Sequence, residues 1–200
     1  SNLGYVPDPD LMALYRMDND GWKDAISGKY GTPVNGPTFT TDAKVGSHAG
    51  KFRGGSSKDH VVLYGANLMD GWNALTVGFW TKIYEYKDFA GLVISIGSGN
   101  FYGVDQRSAA SKSLGLVNVR GASVSLATVT FPTNQWIFVV GTWDRNGDGY
   151  ARIYLDGILG GTAASANTML IDQEDNIKIG TDDTDVNVRS VNALVDEVAI

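Results

Sequence analysis

The sequence contains no cysteine. That excludes disulfide staples, zinc–thiolate centres and thiol nucleophiles together, while leaving the compartment open, because a large core needs no staple. Histidine is nearly as scarce. His48 and His60 are the only two; His60 follows Asp59 at a strand start, but no serine is placed to make a nucleophile pair legible there, and lone histidines near strand ends read as surface or hydrogen-bonded residues. Five prolines in 200 residues leave no Pro-rich linker to divide the chain. Basic clusters are missing too. The 16 lysines and arginines are scattered among 22 acidic residues, for a net charge of −6. That balance offers no electrostatic footprint for nucleic acid or for an anionic membrane surface. No apolar run approaches the roughly 20 residues of a membrane-spanning helix, so membrane insertion is not expected. Helical periodicity is almost absent, and Gly97-Ser98-Gly99 has no helix after it to cradle a phosphate.

What recurs instead is a short run rich in Val, Ile, Tyr, Phe and Trp, followed by a turn cluster drawn from 25 glycines and many Asn and Asp. Leu11–Arg16 reads as a first strand. His48–Arg53 and Asp59–Tyr64 read as a strand pair around Gly54-Gly55-Ser56-Ser57, and Asn67–Trp72 as a short helical turn. Leu75–Tyr84 is the first long strand. Its positions Leu75, Val77, Phe79 and Ile83 make a dry face, and Thr76, Gly78, Trp80, Lys82 and Tyr84 a mixed one. Leu92–Ile96, Phe101–Asp105, Leu114–Arg120, Trp136–Trp143, Tyr150–Leu155, Ile177–Gly180 and Val191–Ile200 complete the set. Strands with one dry and one wet face need a second sheet to cover the dry one, and the absence of crossover helices excludes a parallel α/β sheet. The expected fold is all-β, a two-sheet antiparallel jelly-roll β-sandwich, with residues 1–200 forming a single domain.

Four stretches in order carry a resemblance: Ala49–Gly55 with Val61-Val62-Leu63; Leu75–Lys82; Trp136–Asp144 running into Ala151–Gly157; and Ile177–Gly180 with Val195–Ile200. Together they resemble the laminin-G-like members of the concanavalin-A-like lectin/glucanase superfamily. The resemblance implies a binding or adhesion module more readily than a definite activity, because this fold hosts lectins, adhesion modules and glycanases alike. The family continues beyond the last strand, so the chain is expected to be part of a longer protein.

The resemblance also implies a structural Ca2+ held by an acid of the last strand, Asp196, with Asp18 or Asp20 and Asp24 as partners and a loop carbonyl near Gly54 completing the shell. A hard divalent ion takes several oxygens of this kind. The alternative is that Asp196 and Glu197 form an ordinary solvated edge. Asp144-Arg145-Asn146-Gly147-Asp148-Gly149 matches half of a calcium loop, but Leu155 stands where the bidentate acid belongs. That run reads as a hairpin turn. Thr181–Asp185 reads as a solvated acidic loop.

Sugar rings stack their C–H faces on aromatic rings, with polar neighbours bonding the hydroxyls. Trp80 and Tyr84 on one strand, and Arg152 and Tyr154 on another, share wetter faces and are the candidate ligand-binding residues. Trp22, Trp72, Tyr86, Phe101 and Tyr102 lie in or near loops, and Trp136 and Trp143 are expected in the core. No Glu-x-Asp-x-x-Glu pattern is present, and Asp196 and Glu197 are adjacent, so no catalytic carboxylate pair is legible. The expected function is a non-catalytic, lectin-like module of an extracellular or cell-surface protein, binding a glycan or polysaccharide and stabilised by calcium. The alternative is a structural or adhesive module that binds a surface protein in a cell-surface, fibre or phage-tail assembly. A glycan hydrolase or lyase ranks third.

Overall fold

A computed structural model describes residues 8–18, 21–63, 65, 67–96, 99–120, 123–164, 170–171, 176–182 and 189–200. Of the residues in the readings above, Asp20, Tyr64, Gly97, Ser98 and 183–185 lie outside the described residues. Fifteen strands appear among those described: β1 (Leu14–Tyr15), β2 (Thr32–Val34), β3 (Thr38–Thr40), β4 (Ala49–Arg53), β5 (His60–Val62), β6 (Ala74–Glu85), β7 (Gly91–Ile96), β8 (Asn100–Ser108), β9 (Ser113–Arg120), β10 (Ser123–Thr130), β11 (Ile137–Asp144), β12 (Tyr150–Leu155), β13 (Ile158–Ala164), β14 (Ile177–Ile179) and β15 (Asn192–Ala199). They form two antiparallel sheets, as the alternating pattern requires. One runs β13-β12-β11-β6-β15-β4-β3, with β1 added beside β15, and the other runs β10-β9-β8-β7-β14-β5-β2.

The dry face read from β6 is the inner face. Leu75, Val77, Phe79 and Ile83 are buried there, joined by Val139 and Trp143 of β11 and by Ala151 and Ile153 of β12. Tyr102 and Val104 of β8 and Leu114 and Leu116 of β9 meet them from the other sheet. The sheets pack closely at Gly141, where an added Cβ would stand 2.7 Å from Leu116 Cδ1 and force that side chain to shift.

Three expectations are corrected. The strands either side of Gly54–Ser57 do not pair with each other. β4 lies in the eight-stranded sheet and β5 in the seven-stranded one. The turn carries the chain from one sheet to the other through a single 3-10 turn, Gly55–Ser57, entered at Gly54 with φ 70°. A bidentate ion pair holds this crossing, with Arg53 Nε and Nη2 each donating at 2.7 Å to the buried Asp59 carboxylate. Trp136 is not a core residue. It is half-buried and donates from Nε1 to Asp42 at 3.0 Å. Trp22, read as a loop aromatic, is buried and packs against Phe39 and Phe52 at ring separations of 4.6 and 5.7 Å.

β15 changes phase along its length. Ala193 and Val195 point into the core, and so does Val198. The register against β6 slips between Asp196 and Ala199, and Glu197 takes φ 51°. A bulge of this kind inserts one residue and re-aims the side chains beside it. Asp196 thereby stays on the outer face while the strand still ends dry.

The inner-face reading has a direct test. Trp143→Ala would remove the largest fully buried side chain and is expected to cost about 3–5 kcal/mol in denaturant unfolding. A loss below about 1 kcal/mol would mean that Trp143 does not bridge the sheets.

Candidate functional site

Three places gather polar or aromatic chemistry. The first is where the 41–48 loop closes on the eight-stranded sheet. Asp196 is fully buried, and its Oδ2 accepts from the Lys44 and Val45 amides at 2.9 and 3.0 Å. Its Oδ1 has no hydrogen-bond partner. Asp18 Oδ1 accepts from the Ser47 and His48 amides at 2.6 and 3.1 Å. Gly46, with φ 66°, lets the loop backbone press against Asp18, where a Cβ would collide with the carboxylate. Burial pushes the Asp196 carboxyl up to about 6, the two amide bonds pull against this, and the Asp18 charge adds to the rise. Burial, then the Asp196 charge, pushes Glu197 to about 7. A buried acceptor without a donor, amid acids that repel one another, is the chemistry a cation relieves. Among the described residues no three His, Cys, Asp or Glu side chains are grouped to hold a metal. An ion here would therefore rest on Asp196 and Asp18, with carbonyls or water supplying the remaining oxygens.

Asp24 belongs to a different structure. Its Oδ1 accepts from the Leu14 and Ile26 amides at 2.9 and 3.0 Å, and its Oδ2 from the amide and hydroxyl of Ser27. Four donors fill a carboxylate's acceptor sites. Asp24 fastens β1 to the turn after it and has no lone pair left for a cation.

The second place is the outer face of the same sheet. Trp80 on β6 stands opposite Phe138 on β11, and Val140 of β11 stands opposite Tyr154 on β12, with Arg152 two residues earlier. These three candidates do share one face, and Tyr84 lies further along β6. Trp80, Tyr84 and Arg152 are already engaged within the chain. The Lys44 ammonium sits 4.6 Å from the Trp80 ring centre, and the Phe138 ring lies 5.2 Å from it. Lys82 stands 5.9 Å from the Tyr84 ring and pairs with Asp42 at 2.8 Å. The Lys82 and Trp136 bonds hold the Asp42 carboxyl below the usual carboxylate range. Arg152 pairs with Asp148 of the preceding turn. That turn is the β11–β12 hairpin, in which Asp144 Oδ1 accepts from the Asn146 and Gly147 amides.

The third place is a cavity of about 260 Å3 lined by Phe89, Phe101, Asp105, Arg107, Val117, Asp182 and Arg189. On β8 the inward residues are Tyr102 and Val104, so Phe101, Asp105 and Arg107 face away from the core. Across β7, β8 and β9, Asp105 is flanked in register by Gly91 and Gly115. Neither glycine could take a side chain: the Thr181 carbonyl fills the space a Gly91 Cβ would need, and the stem of Arg107 the space a Gly115 Cβ would need. Arg107 pairs with Asp105, and Arg189 Nη1 donates to Asp182 at 2.7 Å. Both guanidinium groups lie near the Phe89 ring, at 4.8 and 5.2 Å from its centre. Asp105 Oδ1 and Arg107 Nε are buried with no hydrogen-bond partner. Burial pushes Asp105 up to about 7 against the pull of Arg107, with the Asp182 charge adding to the rise. A buried acceptor and a buried donor left without partners are uncommon in a folded protein, and here both belong to residues that line the cavity. The sequence signal lay in Asp105-x-Arg107 on an outward face opposite Gly115, while Phe89, Asp182 and Arg189 come from distant segments.

Comparison with known proteins follows the fold. A sequence profile of the concanavalin A-like lectin/glucanases superfamily matches residues 54–200. Domain 4 of AbnA, a GH43 extracellular arabinanase from Geobacillus stearothermophilus in complex with arabinotriose, is similar at 17% identity and a TM-score of 0.66, over 94% of this chain and 90% of that one. The binding domain of botulinum neurotoxin serotype D is similar at 16% identity and a TM-score of 0.68, over 94% of this chain and 46% of that one. A botulinum neurotoxin type C structure, described with cell entry dependent on two ganglioside molecules, is similar at 14% identity and a TM-score of 0.69, over 94% and 47%. The chain thus spans about half of the toxin chains, and at these identities the likeness is one of fold. No curated protein matches the chain.

The buried Asp105 carries a pH prediction. Its carboxyl titrates near 7 in the folded chain and near 3.9 when unfolded, so between those values the folded form keeps a proton that the unfolded form has lost. Its contribution to stability is present below about pH 4 and lost as pH rises to about 7. Asp105→Asn, which mimics the protonated group, is expected to melt higher than the parent at pH 8 and alike at pH 4. A parent that melts higher at pH 8 would show that the Arg107 pair outweighs burial.

Proposed function

The chain belongs to the concanavalin A-like lectin/glucanases superfamily, and from that premise we propose that it is a non-catalytic carbohydrate-binding module of an extracellular or cell-surface protein. One observation carries this reading: the cavity on the outside of the seven-stranded sheet, lined by the charged side chains of Asp105, Arg107, Asp182 and Arg189 and by the rings of Phe89 and Phe101. Sugar hydroxyls suit such polar walls, and the C–H faces of a sugar ring suit Phe89 and Phe101. The arabinotriose in complex with AbnA domain 4 adds support, because this chain matches 90% of that domain. Binding without turnover is proposed because both cavity acids are paired with arginines. A general acid and a nucleophile or base would need a carboxylate pair free to face the glycosidic bond. The Trp80, Tyr84, Arg152 and Tyr154 face is a secondary contact surface in this reading.

A structural Ca2+ is part of the proposal. Asp196 Oδ1 and the Asp18 carboxylate would hold it, and the ion would supply charge neutralisation where two acids crowd the 41–48 loop. Asp196 and Asp18 also orient that loop through its amides, and this keeps Lys44 over Trp80.

A surface-protein partner is the second reading. It is favoured by Ile158 and Leu159, which are 74% and 50% exposed at the start of edge strand β13. Apolar residues on an unpaired edge suit a protein surface better than a sugar.

Two measurements bear on these proposals. Titration against arabinan, xylan and galactan oligosaccharides is expected to reveal binding that Phe89→Ala weakens about tenfold and Trp80→Ala changes less. Binding lost with Trp80→Ala and kept with Phe89→Ala would move the site to the other sheet. Calcium is expected to raise the melting temperature by about 2–4 °C per kcal/mol of binding at this size. Chelator should reverse the shift and Asp196→Asn abolish it. An unmoved melting temperature would remove the ion from the proposal.

A further inference from the structure

The β11–β12 hairpin carries a covalent chemistry that sugar binding does not use. We propose that Asn146 is a site of spontaneous modification, where the side-chain amide cyclises onto the Gly147 nitrogen and opens to aspartate and isoaspartate, while the other Asn-Gly pair, Asn35-Gly36, reacts far more slowly in the folded chain. The site stands apart from the cavity and does not depend on the carbohydrate reading.

The reaction needs only water. The Gly147 nitrogen bonds to Asn146 Cγ and loses its proton, the Cγ–Nδ2 bond breaks, and the side-chain nitrogen takes up a proton and leaves as ammonia. Water then opens the cyclic imide. Opening at the side-chain carbonyl gives aspartate, and opening at the main-chain carbonyl gives isoaspartate. A glycine after the asparagine favours the ring closure, because no side chain hinders the attacking nitrogen. In the hairpin Asn146 and Gly147 are both exposed. Among the described residues no hydrogen bond holds the Asn146 side chain, so Cγ is free to turn toward the next nitrogen. The backbone is pinned instead. The Asn146 and Gly147 amides donate to Asp144 Oδ1 at 2.8 and 3.0 Å, and the Tyr150 amide donates to Asp148 Oδ1 at 3.1 Å. A carboxylate therefore already receives the proton that must leave the Gly147 nitrogen.

Asn35 and Gly36 are exposed as well, so burial does not separate the two pairs. Hydrogen bonding does. Asn35 Nδ2 donates to the Lys58 carbonyl at 3.1 Å, and the Asn35 carbonyl accepts from Arg53 Nη2 at 3.0 Å. Arg53 is itself fixed by its pair with Asp59. Asn35 stands at φ 58° and Gly36 at φ 85°, a turn clamped on both its side chain and its main chain. Cyclisation there has to break these bonds first, which slows it by at least about tenfold. In the hairpin the products have local consequences. They add a carboxylate between Asp144 and Asp148, and isoaspartate also lengthens the main chain by one carbon in the turn. Asp148 pairs with Arg152, so the change acts on β12, the strand that brings Arg152 and Tyr154 to the outer face.

The test incubates the full folded chain in warm, mildly alkaline buffer. Released ammonia is assayed over time, and the peptides that contain Asn146 and Asn35 are followed by chromatography and mass spectrometry after proteolysis. The Asn146 peptide is expected to split into an aspartate and isoaspartate pair at least about tenfold faster than the Asn35 peptide. In denaturant, where the Lys58 and Arg53 bonds are gone, the two peptides are expected to react alike. Asn146→Gln lengthens the side chain, disfavours the ring closure, and is expected to abolish the fast release of ammonia. Asn35 reacting as fast as Asn146 in the folded chain would overturn the assignment. So would an Asn146 peptide that stays intact while the denatured chain reacts, or fast ammonia release that survives Asn146→Gln. A preference for Asn146 that persists undiminished in denaturant would place its cause in the flanking sequence and overturn the geometric account.

Discussion

Every feature of this protein hangs on the need to dry one face of each sheet. A strand with alternating apolar and polar residues cannot stand alone, because its apolar side gains stability only when another layer covers it. Leu75, Val77, Phe79 and Ile83 of β6 are covered by Tyr102, Val104, Leu114 and Leu116 from the opposite sheet. Once that contact is made, the outward residues of every long strand are set by period two. Asp105 and Arg107 are outward because Tyr102 and Val104 are inward. Trp80 and Asp196 are outward because Phe79 and Val195 are inward. The binding surfaces are thus by-products of the core's register, and a one-residue slip in β8 would put the Asp105 carboxylate between the sheets.

The same constraint explains where the register is deliberately broken. β15 begins with Ala193 and Val195 inward and ends with Val198 inward, which strict alternation forbids. Glu197, at φ 51°, absorbs the extra residue. Without that bulge either Val198 would face solvent or Asp196 would enter the core. The cost is an acid held in the left-handed region beside another acid that is fully buried. Such strain is characteristic of sites rather than of scaffolds, and here it lies where the 41–48 loop is tied down by Asp18 and Asp196.

Much of the fold could be read in advance, because period-two alternation needs no tertiary information. Leu75–Tyr84 and Tyr150–Leu155 show it directly. Strand partnership could not be read so well. The segments around Gly54–Ser57 look like a hairpin, since a short Gly/Ser link between two strands is the ordinary sign of one. They are a sheet-to-sheet crossing because Asp59 pairs with Arg53 and turns β5 toward the other layer. β13 was missed because Gly160-Gly161-Thr162-Ala163-Ala164 carries little β propensity and is made a strand by its pairing with β12. The acids were half legible. Asp18 and Asp196 do close on one loop, whereas Asp24 is consumed by local amides, a fate that no spacing rule distinguishes from metal ligation.

The cavity was the least legible feature, for a physical reason. Gly91 and Gly115 look like turn or strand-weakening residues in a sequence. Only the register that sets them on either side of Asp105 shows why no side chain fits there: the Thr181 backbone closes over one and the Arg107 stem crosses the other. Arg107 reaches across Gly115, Arg189 and Phe89 arrive from separate segments, and burial outweighs ion pairing at Asp105. A purely structural ion pair would have been better served by exposure, where desolvation costs nothing, or by full satisfaction of its remaining atoms. Asp105 and Arg107 have neither: Asp105 Oδ1 and Arg107 Nε stay buried without a hydrogen-bond partner, and the desolvation that pushes the Asp105 carboxyl up to about 7 is the cost of holding the pair against the sheet rather than in water.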